Sequence, residues 1–247
     1  MSSRRGKFRI GLMVPFTNTN LEPDFALMCP PEFMVHTVRM GGYEEEAIPG
    51  ADQMRGLGTS GLDEPLRLLN GAHPDVIVYG CTSATLTHGP SFDQSLSEKM
   101  SAMSGCEAIT AAGALVEGLR RTGVDRIGFA SPYVAEINSL AVSYLEKSGF
   151  QVVSRAEVDS ALSNEGQGAM TPSEVFNLGL AADRDDIGAI VLSCTDMRSV
   201  EIIDALEKET GKPVITSNQA LLAAVIRAVS WKGQLHGFGR LLSTSTK

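Results

Sequence analysis

The sequence predicts an α/β protein made of two similar units, each a parallel sheet covered by helices on both faces, with a cleft between them. Three observations predict it. Short apolar runs alternate with helically spaced segments along most of the chain. Arg9-Ile10-Gly11 with Pro15-Phe16, Cys81 with Thr82, and Ile109-Thr110 with Ala114-Leu115 recur in the same order as Arg126-Ile127-Gly128 with Pro132-Tyr133, Cys194 with Thr195, and Ile215-Thr216 with Ala220-Leu221. The copies lie about 110 residues apart, a period far too long for a solenoid and right for two related domains. Finally, Cys81 and Cys194 each close an apolar run and open onto Thr and a second polar residue. That places both at strand ends, the edge where ligands gather in open α/β sheets.

Residues 7–15 and 33–40 read as strands, the second alternating Val35, Thr37 and Arg39 against Met34, His36 and Val38. Residues 41–60 are polar, acidic and glycine-rich, and read as a long loop with some helix. Residues 62–70 follow helical spacing, and 74–80 form a continuous apolar run after a proline, as a buried parallel strand does. The polar stretch 86–104 reads as a surface excursion or mobile loop. Residues 108–121 read as a helix ended by Gly123. In the second unit, residues 125–131, 150–158, 187–193 and 213–216 read as strands, and 134–147, 200–210 and 219–231 as helices. Another helix begins at Thr171, with Pro172 at its first position and Glu174 completing a capping box. The expected domains are 1–122, carrying Cys81, and 123–247, carrying Cys194, with the last helix returning to the first.

With 43% hydrophobic and 20% charged residues, the chain has the composition of an ordinary globular protein. A net charge of −8 argues against nucleic-acid partners, which call for clustered Lys and Arg. No apolar run reaches membrane-spanning length. Arg4, Arg5 and Lys7 before residues 10–16 imitate a signal peptide, but the run is short and no small-residue cleavage site follows. Four cysteines without a disulfide framework fit a reducing cytoplasm.

A buried cysteine is usually just a small hydrophobe, which is the reading for Cys29 and Cys106. Zinc lacks any supporting Cys or His spacing, so no metal is expected. Cys81 and Cys194 stand apart because the repeat pairs them. Backbone amides at Thr82 and Ser83, and at Thr195 and Asp196, are expected to lower the thiol pKa values and to bind a substrate carboxylate. Gly56-Leu57-Gly58-Thr59-Ser60-Gly61 satisfies G-x-G-x-x-G formally but follows no strand, and reads as a flexible loop or lid. Glu44-Glu45-Glu46 reads as a solvated helix face.

Arg9-Ile10-Gly11 with Pro15-Phe16-Thr17-Asn18-Thr19, Gly80-Cys81-Thr82-Ser83, Ser131-Pro132-Tyr133 and Gly237-Phe238-Gly239-Arg240-Leu241-Leu242 resemble the aspartate/glutamate racemase superfamily. Within it, the chain is most similar to the maleate cis–trans isomerase branch, which also holds arylmalonate decarboxylases and an ectoine-utilisation subgroup. The resemblance implies two Rossmann-like parallel-sheet domains related by a pseudo-twofold axis, with the active site in the cleft. It implies Cys81 as nucleophile and Cys194 as acid/base partner, with Asn18, Tyr133 and Asn164 binding substrate. It also implies a soluble homo-oligomer. Decarboxylases of the branch lack the first cysteine, so Cys81 argues against that activity. The expected reaction is cofactor-independent isomerisation of maleate or a close cis-dicarboxylate. The alternatives are a two-thiol racemase or epimerase of a small amino or hydroxy acid, and a carboxylate-binding protein without turnover. Ser193-Cys194-Thr195-Asp196-Met197-Arg198 is closer to the ectoine-utilisation type, and adds charge beside the second thiol.

Overall fold

A continuous apolar run leaves no side for solvent, and the strands that precede the two cysteines, Val76–Tyr79 and Ala189–Leu192, are buried at every position. The computed structural model describes residues 5–41 and 48–243. The first half runs β1 (Phe8–Pro15), α1 (Leu21–Met28), β2 (Phe33–Met40), α2 (Ala51–Thr59), α3 (Asp63–Asn70), β3 (Val76–Tyr79), α4 (Thr82–Leu86), α5 (Pro90–Ser104), β4 (Glu107–Thr110) and α6 (Ala111–Arg120). The second runs β5 (Arg126–Ser131), α7 (Ala135–Lys147), β6 (Gln151–Glu157), α8 (Asn164–Ala169), α9 (Pro172–Ala181), β7 (Ala189–Leu192), α10 (Ile203–Thr210), β8 (Val214–Thr216), α11 (Ser217–Ala228) and α12 (Arg240–Ser243). A 3-10 turn at Val200–Ile202 leads into α10.

Each half forms its own four-stranded parallel sheet, ordered β2-β1-β3-β4 and β6-β5-β7-β8. The second order repeats the first strand for strand, which carries the sequence repeat into topology. Its clearest marks are two threonines that end edge strands and start helices. Thr110 Oγ1 accepts from the Gly113 amide, and Thr216 Oγ1 accepts from the Gln219 amide in a full capping box. The helices so started, α6 and α11, pack against each other across the halves. Gly118 of α6 lies close against the second half, where a Cβ would stand 3.1 Å from Ile215 of β8 and 3.2 Å from Leu241 of α12. Residues Ser217 to Ile226 of α11 are all buried. Leu221, Leu222 and Val225 are fully enclosed, each stabilising the fold by roughly 1.5–3 kcal/mol. Among the described residues, no helix is long and apolar enough to cross a membrane.

Four expectations need correction. Residues 90–104 form α5, started by Pro90 and closed by Gly105 in the left-handed region, with Leu96 and Met100 buried one turn apart. The polar majority of that stretch is its solvent face. The segment 51–59 is α2, so the glycine-rich motif is mostly helical. Met54 and Leu57 are buried there, and Gly58 lies flat against α4, where a Cβ would come 2.5 Å from the Ala84 carbonyl oxygen. Residues 107–110 are strand β4, not the start of a helix. Three helices, α1, α8 and α12, have no counterpart among the expected elements. Glu44, Glu45 and Glu46 lie outside the described residues.

Polar contacts hold the halves together where the strand ends meet. Buried Asp24 on α1 accepts from Asn218 Nδ2 of α11 at 2.6 Å. Burial pushes the Asp24 carboxyl up from its ordinary 3.8 to about 7, against the pull of the Asn218 hydrogen bond. Between those two values the folded chain holds a proton that the unfolded chain has released. Stability therefore falls as pH rises from about 4 to about 7, by at most roughly 4 kcal/mol. Asp24→Asn keeps the acceptor without the charge. Its melting temperature is expected to drop less than that of the wild type between pH 5 and pH 8. Parallel curves for the two proteins would refute this.

Candidate active site

Each sheet delivers one thiol to the same place. β3 ends at Tyr79, and Gly80 turns past the first strand under tight restriction: a Cβ would meet Leu21 at 2.2 Å and the Met13 carbonyl oxygen at 2.8 Å. Cys81 then stands at the start of α4. Cys194 follows β7 in the same way, after Ser193. Both cysteines are 5% exposed, and both line one cavity of about 40 Å3.

Pro49, Met54, Leu57 and Ile137 give the cavity an apolar side. The polar side holds Thr17, Asn18, Ser83, Asn164, Gln167, Thr195 and Asp196, with Tyr133 joining the two. Ser83 Oγ lies 3.6 Å from Cys81 Sγ and 3.0 Å from Met54 Sδ of α2, so its single proton turns to Met54 while Cys81 is a thiol and can turn to Cys81 when the sulfur is ionised. Cys194 Sγ receives the Asp196 amide at 3.4 Å and points its own proton at Gln167 Oε1, 3.8 Å away. The Ser131-Pro132-Tyr133 corner is held by Asn138, which contacts Ser131 Oγ and donates to the Tyr133 carbonyl at 2.9 Å.

The loop after β1 is clasped by the opposite half. Thr195 Oγ1 donates to the Gly80 carbonyl at 3.0 Å and accepts from Asn18 Nδ2 at 3.1 Å. Asp196 Oδ1 accepts from the backbone amides of Thr19 (2.7 Å) and Asn20 (3.0 Å), and from both side chains. Asn20 Nδ2 also reaches the carbonyl oxygens of Gly168 and Asp196. Asn18 Oδ1 accepts from the Asn20 and Leu21 amides, which fixes the start of α1.

The thiols differ from the expectation of a lowered pKa. Burial pushes Cys194 up to about 12, and the Asp196 charge adds to that, opposed by the Asp196 amide and Tyr133. Burial also raises Cys81, but the Ser83 hydroxyl and the Ala84 and Ser83 amides all favour its ionised form. Desolvation outweighs the helix-start amides at both sites. Each thiolate would also repel the other, because the Cys81 charge raises Cys194. The cavity therefore holds at most one thiolate, and Cys81 has the donors for it. Tyr133 is raised well above its ordinary value by burial and stays a hydroxyl donor.

Of the sequence-predicted residues, Asn18, Cys81, Ser83, Tyr133, Asn164, Cys194 and Thr195 all line the cavity. Thr82 does not. Its hydroxyl turns away to Ser217 Oγ at 2.9 Å, so only its main chain remains near the cysteine. Arg198 also stays outside, paired with Glu201. Sequence reasoning missed Gln167 and the roof residues Met54 and Leu57. Gln167 had no readable signal, while Met54 and Leu57 carry an i, i+3 apolar spacing that the surrounding glycines masked.

A model of the arylmalonate decarboxylase family matches residues 10–242. The maleate isomerase of Nocardia farcinica (strain IFM 10152) is 28% identical over 247 residues, covering 95% of each chain. The solved structure of a cysteine-to-alanine variant of the Pseudomonas putida S16 maleate isomerase, with maleate, superposes with a TM-score of 0.86 at 26% identity, covering 96% of this chain and 97% of that one. A cysteine variant of the Nocardia farcinica maleate cis-trans isomerase, carrying a covalently bound succinylcysteine intermediate, gives 0.87 at 26% identity, covering 97% and 99%.

Thr195→Val keeps the shape of the clasp but leaves the Asn18 amide and the Gly80 carbonyl without their partner. Buried groups so orphaned cost roughly 1–3 kcal/mol. The denaturation midpoint is expected to fall accordingly, and an unchanged midpoint would show that the clasp carries no stability.

Proposed function

The chain belongs to the arylmalonate decarboxylase family, and from that premise we propose that it is a cofactor-independent isomerase converting maleate, or a close cis-dicarboxylate, to the trans form. The observation that carries this reading is the pair of buried thiols on one cavity, one from each sheet. The Nocardia farcinica enzyme with its succinylcysteine supplies the chemical precedent.

In the proposed cycle Cys81, a neutral thiol at rest, gives its proton to solvent and acts as the thiolate. Its sulfur forms a bond to one alkene carbon, and the π pair moves onto the neighbouring carbon and its carboxylate. Tyr133, Asn18, Asn164 and the amides beside the cysteines stabilise that enolate-like charge. Cys194 gives its proton to the neighbouring carbon, leaving a succinyl adduct whose central bond is single and free to rotate. The steps then reverse: Cys194 takes the proton back, the C–S bond breaks, and Cys81 leaves as the thiolate with the trans alkene. Protons and electrons balance without an external redox partner. The assignment of the two thiols follows their surroundings: three donors favour the Cys81 thiolate against two on Cys194, and the Asp196 charge weighs more heavily on Cys194. Decarboxylation is disfavoured because it gives a second thiol at Cys81 no task. Residues 1–122 and 123–247 form the two domains of this scheme, and a homo-oligomer in a reducing cytoplasm suits its free thiols.

Proton NMR of the reduced protein with maleate in deuterated buffer tests it. Wild type is expected to form fumarate, and Cys81→Ala and Cys194→Ala each to lose roughly a thousandfold or more in turnover while staying folded. Substantial activity in both variants would sink the scheme. No fumarate, with deuterium entering the α-carbon of an amino or hydroxy acid, would move the assignment to a two-thiol racemase.

A further inference from the structure

The charge around the cavity is one-sided. Among the described residues no Lys, Arg or His lines it, and its sole carboxyl group is that of Asp196. Two cations on adjoining segments are already engaged. Arg39 pairs with Glu22 and with the carbonyls of Pro15 and Asn18, and Arg198 grips Glu201 with two hydrogen bonds. Every hydrogen bond to the Asp196 carboxylate falls on Oδ1. Oδ2 accepts none among the described residues, and stands beside Gly168, where a Cβ would come within 3.0 Å of it. Elsewhere the wall offers neutral donors, among them Asn164 Nδ2, which is buried and has no partner.

Such a wall suits one carboxylate and opposes two. A substrate dianion would bring its second carboxylate against Asp196 among buried side chains, where two neighbouring carboxylates oppose each other's ionisation. We infer that Asp196 is a specificity-determining residue: its carboxylate, part of the cavity wall, selects a cis-alkene acid with one ionised carboxylate and a neutral, hydrogen-donating group at the other end. A carboxamide fits that description, as does an un-ionised carboxyl. Asp196 thus discriminates against the dianion that the cysteines would otherwise handle. This inference rests on the isomerase reading and names the substrate form that reading leaves open.

The test compares kcat/KM for maleate and for maleamate, its mono-amide, at pH 8, where maleate is a dianion. Wild type is expected to favour maleamate by roughly tenfold or more. Asp196→Asn should shift the maleate-to-maleamate ratio toward maleate by roughly tenfold or more. Thr19→Ala serves as the control, because it removes one hydroxyl donor to Asp196 and keeps the charge; it should affect both substrates alike. If wild type handles maleate as well as maleamate, the inference is overturned while the isomerase reading stands, and this arm decides the matter even if Asp196→Asn fails to fold. An unchanged ratio in a folded Asp196→Asn overturns it equally. If wild type isomerises neither compound, the isomerase reading falls and the inference falls with it.

Discussion

The site depends on a clasp between strand ends: Thr195 and Asp196 of the second half hold the loop that follows the first strand of the first. Thr195 touches both Asn18 and the carbonyl of Gly80, the residue before Cys81. Asp196 anchors Thr19 and Asn20, and its amide meets the sulfur of Cys194. One dipeptide therefore fixes the spacing of the halves and the surroundings of both thiols. Bond-forming geometry tolerates errors of little more than a few tenths of an ångström. A cleft between two independent sheets would drift more than that without such a crossing contact.

The same burial that gives the clasp its strength decides the chemistry. Burial around the cavity raises every acid in or near it, so Cys81, Cys194, Asp24 and Asp196 all hold their protons to a higher pH than groups of their kind do in water. The two thiols separate only through local donors. Cys81 has a hydroxyl and two amides, while Cys194 has one amide and the Tyr133 hydroxyl and feels the Asp196 charge more strongly. A nearly symmetric fold thus houses an asymmetric pair, one sulfur suited to attack and the other to carrying a proton.

Much of this was legible in the sequence, for identifiable reasons. The buried strands β3 and β7 show as unbroken apolar runs, and the capping box at Thr171 and Glu174 appears in the structure with both hydrogen bonds. The repeat located both cysteines and implied matching sheets. The repeat also pairs Ile109-Thr110 with Ile215-Thr216, the end of a strand, which marks 107–110 as a strand where periodicity alone gives a helix. β4 and α6 run into each other with no turn residue between them, so periodicity alone could not divide them. The helices α2 and α5 were hidden by composition, since glycine in α2 serves close packing and serine in α5 covers a solvent face. Gln167 and the outward turn of Thr82 depend on side-chain direction, which no spacing rule supplies.

Resting thiols held in the neutral form have one more consequence, for survival in an oxidising moment. Peroxides and alkylating agents react with thiolates, and a sulfur that is both un-ionised and enclosed offers them little. Cys29, at about 12, and Cys106 are shifted the same way. Cys81 and Cys194 share one cavity, and joining them as a disulfide would again begin from a thiolate. The chain thus keeps its reactive sulfurs dormant by desolvation instead of by a protective partner.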